Sequence, residues 1–239
     1  MEERWTWALI HSPLVGPSTW SRVAAELERL GLRALVPTLV DSEADGRAYW
    51  EQHVQSAVTA IDSFSSGASP LILVGHSGAG PILPAIGNRL ERPPAGYVFV
   101  DAGLPSHRTS RLEMLKSESR TWADEFEKHL EAGGRFPNWS DADLRPLIPD
   151  EKLRDAVLTE MQPRGRDFFT ESISVPEDWS TVPSGYIQFS DAYAVPAEHA
   201  RRAGWPFIRL QAGHFHMLVD PAGVAGALVE ISGRLLTAV

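Results

Sequence analysis

The sequence predicts one α/β domain with a mostly parallel sheet, and two observations support this prediction. Short apolar runs alternate with amphipathic helical segments along the 239 residues, which is typical of parallel strands joined by crossover helices. In addition, the apolar run Leu71–Gly75 leads into a serine between small residues, and a helical segment follows. A chain of this length buries one sizeable core, so we expect a single domain rather than two.

The predicted elements follow in order from apolar periodicity and turn residues. Ser18 is a candidate N-cap for the first helix, and Gly31 ends it. Asp220 is a candidate N-cap for the last helix, with Pro221 in its first turn. The predicted strands are Trp5–His11, Leu32–Leu39, Leu71–Gly75, Tyr97–Val100, Tyr186–Phe189 and Pro206–Leu210. The predicted helices are Ser18–Leu30, Gly46–Phe64, Gly78–Leu90 and Ala222–Leu236.

Residues 104–183 interrupt this alternation. The segment is charged, helix-prone and rich in aromatic residues, which are Trp122, Phe126, Phe136, Trp139, Phe168, Phe169 and Trp179. We interpret it as a helical cap inserted over the edge of the sheet. Its aromatic rings are expected to form the core of the cap more often than a substrate pocket.

Composition excludes several classes of protein. The 43% hydrophobic and 22% charged residues are ordinary for a globular protein. A net charge of −9 argues against nucleic acid or an anionic membrane as partner. The absence of cysteine excludes disulfides, thiolate nucleophiles and cysteine metal sites.

The first residues of the chain bear on where the protein is expected to be located. The first residues, Met1–Arg4, lack signal-peptide architecture, and prolines and a glycine interrupt the uncharged run Trp5–Ser21. We therefore expect a cytoplasmic monomer or homodimer that acts on a small molecule.

The stretch Gly75-His76-Ser77-Gly78-Ala79-Gly80 predicts a nucleophile elbow. Such a turn holds a serine in a strained backbone conformation at the carboxyl end of a strand. Small residues around the serine let the strand and the following helix approach closely. The fifth position of the usual G-x-S-x-G pattern is Ala79, one methyl group away from the strict motif.

The chain resembles the α/β-hydrolase superfamily over nearly its whole length. The elbow, the early strand end Leu9–His11, and the late Gly213–Phe215 followed by Asp220-Pro221 fall in the order of that family. Because the chain begins at what would be the family's third strand, the resemblance implies a sheet of about six strands. It is most similar to small esterase-like members whose elbow reads G-H-S-G-A-G, which implies a serine nucleophile at Ser77.

A serine hydroxyl needs a base before it becomes a good nucleophile. His214 is the favoured base, since it follows a strand and matches the family's late histidine. His216 lies two residues further on and is the competing candidate. A metal held by these two histidines is not expected, because no third ligand has suitable spacing. Neither a dinucleotide-binding nor a P-loop motif is present, so we expect no cofactor.

Two aspartates are candidates for the acid that orients the histidine. Asp191 follows the strand after the cap, where most of the superfamily carries this residue, although the family's aspartate aligns with Ala192. Asp101 ends the strand after the elbow helix, and some lipases of the superfamily have their acid there. The sequence narrowly favours Asp101, because an aspartate between an apolar strand and a small-residue turn needs a buried partner.

The oxyanion hole is predicted from two backbone N–H groups. Gly78, the residue after the nucleophile, supplies one donor. The family takes the other from the loop after the first strand, but that position is Pro13, which has no N–H. Leu14 is the predicted second donor, and the Ser12 hydroxyl is the alternative.

We therefore predict a serine hydrolase that acts on a small or medium ester or thioester through an acyl-enzyme on Ser77. Because Pro13 puts the oxyanion hole in question, two alternatives stay open. One is a cofactor-free lyase or eliminase of the same fold that uses Ser77 and His214. The other is a ligand-binding relative without catalysis.

Overall fold

A computed structural model describes residues 5–64 and 69–237, so the predicted features of Met1–Arg4 lie outside it. The strands are β1 (Thr6–Ile10), β2 (Arg33–Leu35), β3 (Leu71–Ser77), β4 (Gly96–Ala102), β5 (Thr109–Ser110), β6 (Ser172–Ile173), β7 (Ser184–Gln188) and β8 (Phe207–Arg209). Six of them form one parallel sheet, as predicted, and they lie in the order β2-β1-β3-β4-β7-β8. The carboxyl ends of these strands therefore share one edge, where ligands of such sheets bind.

Helices lie on both faces of the sheet and in the inserted segment. They are α1 (Ser18–Arg29), α2 (Tyr49–Phe64), α3 (Leu83–Gly87), α4 (Arg111–Glu118), α5 (Arg120–Glu131), α6 (Asp141–Leu144), α7 (Glu151–Glu160), α8 (Arg166–Thr170), α9 (Ala194–Arg202), α10 (His216–Val219) and α11 (Pro221–Thr237). Asp220 caps α11 as predicted, since its carboxylate accepts the N–H of Gly223 at 2.9 Å. In the described ranges, no helix has the length and apolarity needed to cross a membrane.

Three predicted helix starts differ from the structure. The helix expected from Gly46 begins at Tyr49, because Gly46 ends a preceding 3₁₀ turn, Glu43–Asp45. The helix expected at Gly78–Leu90 is a 3₁₀ turn at Gly80–Ile82 followed by the short α3. Prolines in both pieces remove backbone donors, which shortens the regular helix. Ser18 does not cap α1: it is the first helical residue, and its N–H donates to the Glu160 carboxylate at 3.0 Å.

A hydrophobic core lies on each face of the sheet. On one face, α1 and α11 bury Trp20, Leu27 and Leu228 against alternate residues of the central strands. On the other face, α2, α3 and α9 cover the remaining strand residues, including Phe99 and Tyr186. Because helices cover both faces of the sheet, consecutive strand residues are all buried and do not alternate between buried and exposed, as in β1 and β4.

Residues 104–183 contain α4 to α8 and the antiparallel pair β5–β6. Phe126, Phe168 and Phe169 pack with Leu112 and Leu130 in a core of their own, as predicted for most of these rings. Trp139 and Trp179 instead pack on rings of the sheet domain, and Trp122 is 47% exposed.

A buried ion pair and hydrogen bonds from backbone N–H groups to Glu171 attach this segment to the sheet domain. Arg164 donates two hydrogen bonds to Asp41, at 2.9 and 2.5 Å, and His53 contacts the same carboxylate at 2.7 Å. Glu171 accepts the N–H of Tyr49, the first residue of α2, at 2.7 Å. We call Asp41, His53, Arg164 and Glu171, together with Arg111, which donates to Glu171 at 2.7 Å, the cap latch.

Candidate active site

Ser77 ends β3 in a left-handed backbone conformation, with φ at 56°. Non-glycine residues rarely adopt this conformation, and residues that do so cluster at functional sites. The close packing predicted for the elbow is visible at Gly75, where an added Cβ would lie 2.9 Å from the Leu83 side chain. The turn thus places the Ser77 hydroxyl at the carboxyl edge of the sheet.

Asp101 occupies a bulge in the neighbouring strand β4. His76 pairs with Val100 and Ser77 pairs with Ala102, so Asp101 is the extra residue between them. Its φ is 42°. A bulge re-aims a side chain that would otherwise follow the regular alternation of the strand, and here it directs the carboxylate toward His214.

The Asp101 carboxylate is fully buried and fully hydrogen bonded. Oδ1 accepts the N–H groups of Phe189 and Ser190 at 3.0 and 2.9 Å, and Oδ2 accepts the Ser190 hydroxyl at 2.7 Å. The fourth contact joins Oδ2 to Nδ1 of His214 at 2.7 Å. These donors offset the cost of burying a charge and leave Nε2 of His214 as the nitrogen that can exchange a proton.

Two rings hold the imidazole of His214 in place. The His76 ring lies at a centroid distance of 4.4 Å, and the Tyr193 ring is nearly parallel at 5.2 Å. His76 contacts the carbonyl of His214 through Nε2 at 3.0 Å, and burial lowers the pKa of His76 well below its ordinary value. His76 is therefore neutral, and its ring packs beneath the elbow against that of His214.

The hydroxyl of Ser77 contacts a residue that the sequence did not single out. Its Oγ lies 3.0 Å from the Tyr193 hydroxyl, and within the described ranges it has no hydrogen bond to His214. Such bonds often form only when substrate binds. Burial raises the pKa of Tyr193 well above its ordinary value, so the phenol stays protonated. The only sequence signal for Tyr193 is its position just after strand β7.

Asp191, the alternative acid, lies away from this constellation. Its side chain is 92% exposed and pairs with Arg209 at 2.7 Å. It starts the 3₁₀ turn that ends at Tyr193. His216, the alternative base, packs its ring edge against Phe189 at 5.5 Å.

The loop after β1 holds the other predicted donors. The N–H of Leu14 is directed at Ser12 Oγ, 3.4 Å away, and its carbonyl accepts the N–H of Gln162 from the inserted segment. Ser12 Oγ lies 3.1 Å from the position of a Cβ added to Gly78. The Ser12 hydroxyl and the Gly78 backbone are therefore neighbours beside Ser77.

His11 fixes this loop through two hydrogen bonds. Its Nδ1 donates to the carbonyl of Ser12 at 2.8 Å, and its Nε2 accepts the N–H of Leu39 at 3.1 Å. Burial lowers the pKa of His11 to about 4, so the ring is neutral at pH 7.

Glu118, at the end of α4, is a partly buried carboxyl near the site. Burial raises its pKa to about 7, and its charge acts on the phenols of Tyr186 and Tyr193. Across residues 5–64 and 69–237, no hydrogen bond or ion pair holds it. The same ranges contain no cluster of three or more His, Asp or Glu placed to hold a metal ion.

A serine at an elbow beside a histidine oriented by a buried aspartate can carry out acyl transfer. The sequence matches the model of the alpha/beta hydrolase family over residues 8–227. The chain belongs to this family. A comparison with curated protein sequences finds no significant match.

Solved structures with the same fold include enzymes of different chemistry. An extracellular alpha/beta-hydrolase from a Paenibacillus species, described as a homologue of tobacco salicylic acid binding protein 2, is 20% identical with a TM-score of 0.75, covering 95% of this chain and 98% of that one. Polyneuridine aldehyde esterase is 17% identical with a TM-score of 0.69, covering 96% and 99%. Tomato methylketone synthase I, solved with 2-tridecanone, is 15% identical with a TM-score of 0.67, covering 97% and 99%. At these identities the likeness establishes the fold alone.

Proposed function

We propose that this member of the alpha/beta hydrolase family is a serine hydrolase of small or medium esters or thioesters. The observation that carries the proposal is the 2.7 Å contact between His214 Nδ1 and the buried Asp101, with Ser77 on the neighbouring strand in the strained elbow conformation. The presence of an esterase among the solved structures of this fold supports the proposal.

In the proposed reaction, His214 takes the proton of Ser77 at Nε2 while Oγ attacks the acyl carbon. Asp101 fixes the tautomer and stabilises the imidazolium that forms. His214 then gives the proton to the leaving oxygen or sulfur, and the acyl group stays on Ser77. Water attacks next, with His214 as the base, and the acid product leaves.

We assign the oxyanion hole to the Gly78 N–H and to the loop after β1. Because the Leu14 N–H is directed at Ser12 Oγ, that oxygen is an acceptor, and its own proton is free to donate. We therefore favour the Ser12 hydroxyl over the Leu14 N–H as second donor. Ser12→Ala is then expected to lower kcat about 100- to 1,000-fold, the usual effect of losing one oxyanion donor.

The test of the proposal is the intact mass after treatment with a fluorophosphonate, for wild type and Ser77→Ala. One adduct on wild type and none on the variant supports an activated serine. A panel of esters and thioesters then defines the acyl group. A folded wild-type protein that forms no adduct and hydrolyses none of the panel contradicts the proposal.

Two observations favour a second candidate, a lyase or eliminase. Ser77 Oγ contacts Tyr193 rather than His214, and a methylketone synthase has the same fold. In that case His214 would abstract a proton from carbon, and no acyl group would stay on Ser77. Mass spectrometry of the enzyme quenched during turnover separates the two candidates, because only the hydrolase carries an acyl group.

A further inference from the structure

We propose that Tyr193 is a catalytic residue that donates a hydrogen bond to Ser77 Oγ while the acyl-enzyme breaks down. The inference rests on the proposed serine hydrolase function. It starts from the 3.0 Å distance between the Tyr193 hydroxyl and Ser77 Oγ, the atom that forms and breaks bonds in both half-reactions.

The direction of this hydrogen bond is fixed once Ser77 is acylated. In the free enzyme either hydroxyl can be the donor. In the acyl-enzyme, Oγ is an ester oxygen without a proton, so it can only accept. Tyr193 is then the donor. Its raised pKa means that it donates a hydrogen bond without transferring its proton.

The donor acts on the leaving atom of deacylation. Water attacks the acyl carbon, and His214 takes the water proton at Nε2. The bond from the acyl carbon to Oγ then breaks, and His214 returns the proton to Oγ. Negative charge develops on Oγ as this bond breaks, and the Tyr193 hydroxyl is in place to stabilise it.

The same hydrogen bond has the opposite effect on acylation. There Oγ is the nucleophile, and a donor at 3.0 Å withdraws electron density from it. The two half-reactions therefore respond differently to removal of the phenol oxygen. A purely structural role of Tyr193, such as its stacking on His214, would affect both half-reactions in the same direction.

The position of Tyr193 is built into the fold. It is the last residue of the 3₁₀ turn Asp191–Tyr193 and immediately precedes α9, which packs on the sheet. The ring is held by its stacking on His214, so Tyr193→Phe removes the hydroxyl and keeps the ring.

The experiment is stopped-flow hydrolysis of a p-nitrophenyl ester by wild type, Tyr193→Phe, Tyr193→Ala and the control Tyr97→Phe. Tyr97 is a buried tyrosine near the start of β4, paired with Leu73, and therefore lies four residues along the strands from Ser77. Tyr193→Phe is expected to slow deacylation roughly 10- to 100-fold while acylation stays equal or becomes faster. The variant then shows a burst of nitrophenol, and mass spectrometry finds accumulated acyl-enzyme.

Each other outcome overturns the inference. Equal slowing of both steps in Tyr193→Phe would indicate a positioning role, which is the pattern expected of Tyr193→Ala. Unchanged deacylation would show that the phenol is not used. If wild type forms neither the fluorophosphonate adduct nor an acyl-enzyme, the proposed function fails, and this inference fails with it. If wild type is labelled but the deacylation rate of Tyr193→Phe is unchanged, only the inference is overturned.

Discussion

The carboxyl end of β4 and the turn after β7 lie at the same edge of the sheet, and each carries an aspartate, but the two aspartates differ in burial and in hydrogen bonding. Asp101 is fully buried and accepts four hydrogen bonds, whereas Asp191 is 92% exposed and has one surface partner. The end of β4 holds the carboxylate that faces His214. The turn after β7 supplies hydrogen-bond donors to that carboxylate and also carries the phenol of Tyr193. The position of the acid is therefore set by burial and backbone donors, and not by the presence of a carboxylate at a strand end.

The largest expected effect separates the two aspartates. Asp101→Asn removes the charge that holds the His214 tautomer, and we expect kcat to fall about 10⁴-fold, as for the equivalent change in a serine protease triad. Asp191→Asn should change kcat less than about twofold, since surface ion pairs contribute little. Steady-state kinetics on one ester checks both, and the reverse order would reassign the acid to Asp191.

The next largest effect tests whether the turn after β7 stabilises Asp101 through its hydrogen-bond donors. Ser190→Ala removes the hydroxyl that donates to Asp101 Oδ2 at 2.7 Å. We expect unfolding free energy to fall by about 1.5–3 kcal/mol, the range for hydrogen bonds to charged groups, together with activity. Urea unfolding measures it. Ser21→Ala, which loses only an exposed hydroxyl on α1, is the matched control with a change under about 0.5 kcal/mol.

Glu118 is a third carboxyl near the turn after β7. We expect it to make the free energy of unfolding fall as the pH rises, which is the opposite of the effect of an aspartate in an ion pair. Its folded pKa of about 7 exceeds the ordinary value of 4.5, so the folded state binds its proton more tightly. Stability from this group is therefore present below pH 4.5 and is lost as the pH rises through 7. Relative to Glu118→Gln, wild type should lose about 1–2 kcal/mol between pH 5 and pH 8, measured by urea unfolding. A constant difference between the two proteins over this range contradicts the prediction.

The smallest effect concerns the surface partner of Asp191. Arg209→Gln breaks the ion pair with Asp191, and we expect a change in unfolding free energy below about 0.5 kcal/mol. Thermal unfolding at low and high salt measures it. A loss of several kcal/mol would mean that the pair positions the β7 turn, and activity would then fall as well.

Much of the fold follows from the sequence because apolar periodicity and strand-end residues depend on local pattern. The mostly parallel sheet and the elbow at Ser77 were predicted in this way, whereas the α/β-hydrolase fold was implied by the resemblance of the chain to that family. The site depends on more than local pattern. Asp101 was favoured from the cost of burying a charge, but the bulge that aims it comes from pairing with β3.

Two features had no usable signal in the sequence. Tyr193 reaches Ser77 across 116 positions, and its place depends on the path of the turn after β7. Asp41 meets Arg164 across 123 positions, and a charged residue at either place reads as solvent-exposed. Contacts between residues so far apart in the chain depend on tertiary packing, which local sequence pattern does not determine.

The cap latch limits which segments from related proteins can replace residues 104–183 of this protein. A chimaera that replaces residues 104–183 removes Arg164 but keeps Asp41, whose side chain is 8% exposed, and its remaining partner His53. Removing one partner of a buried ion pair costs up to about 3–5 kcal/mol, and the 2.7 Å contact with His53 offsets part of this cost. A replacement cap therefore keeps the full stability of the sheet domain only if it supplies a cation at the position of Arg164.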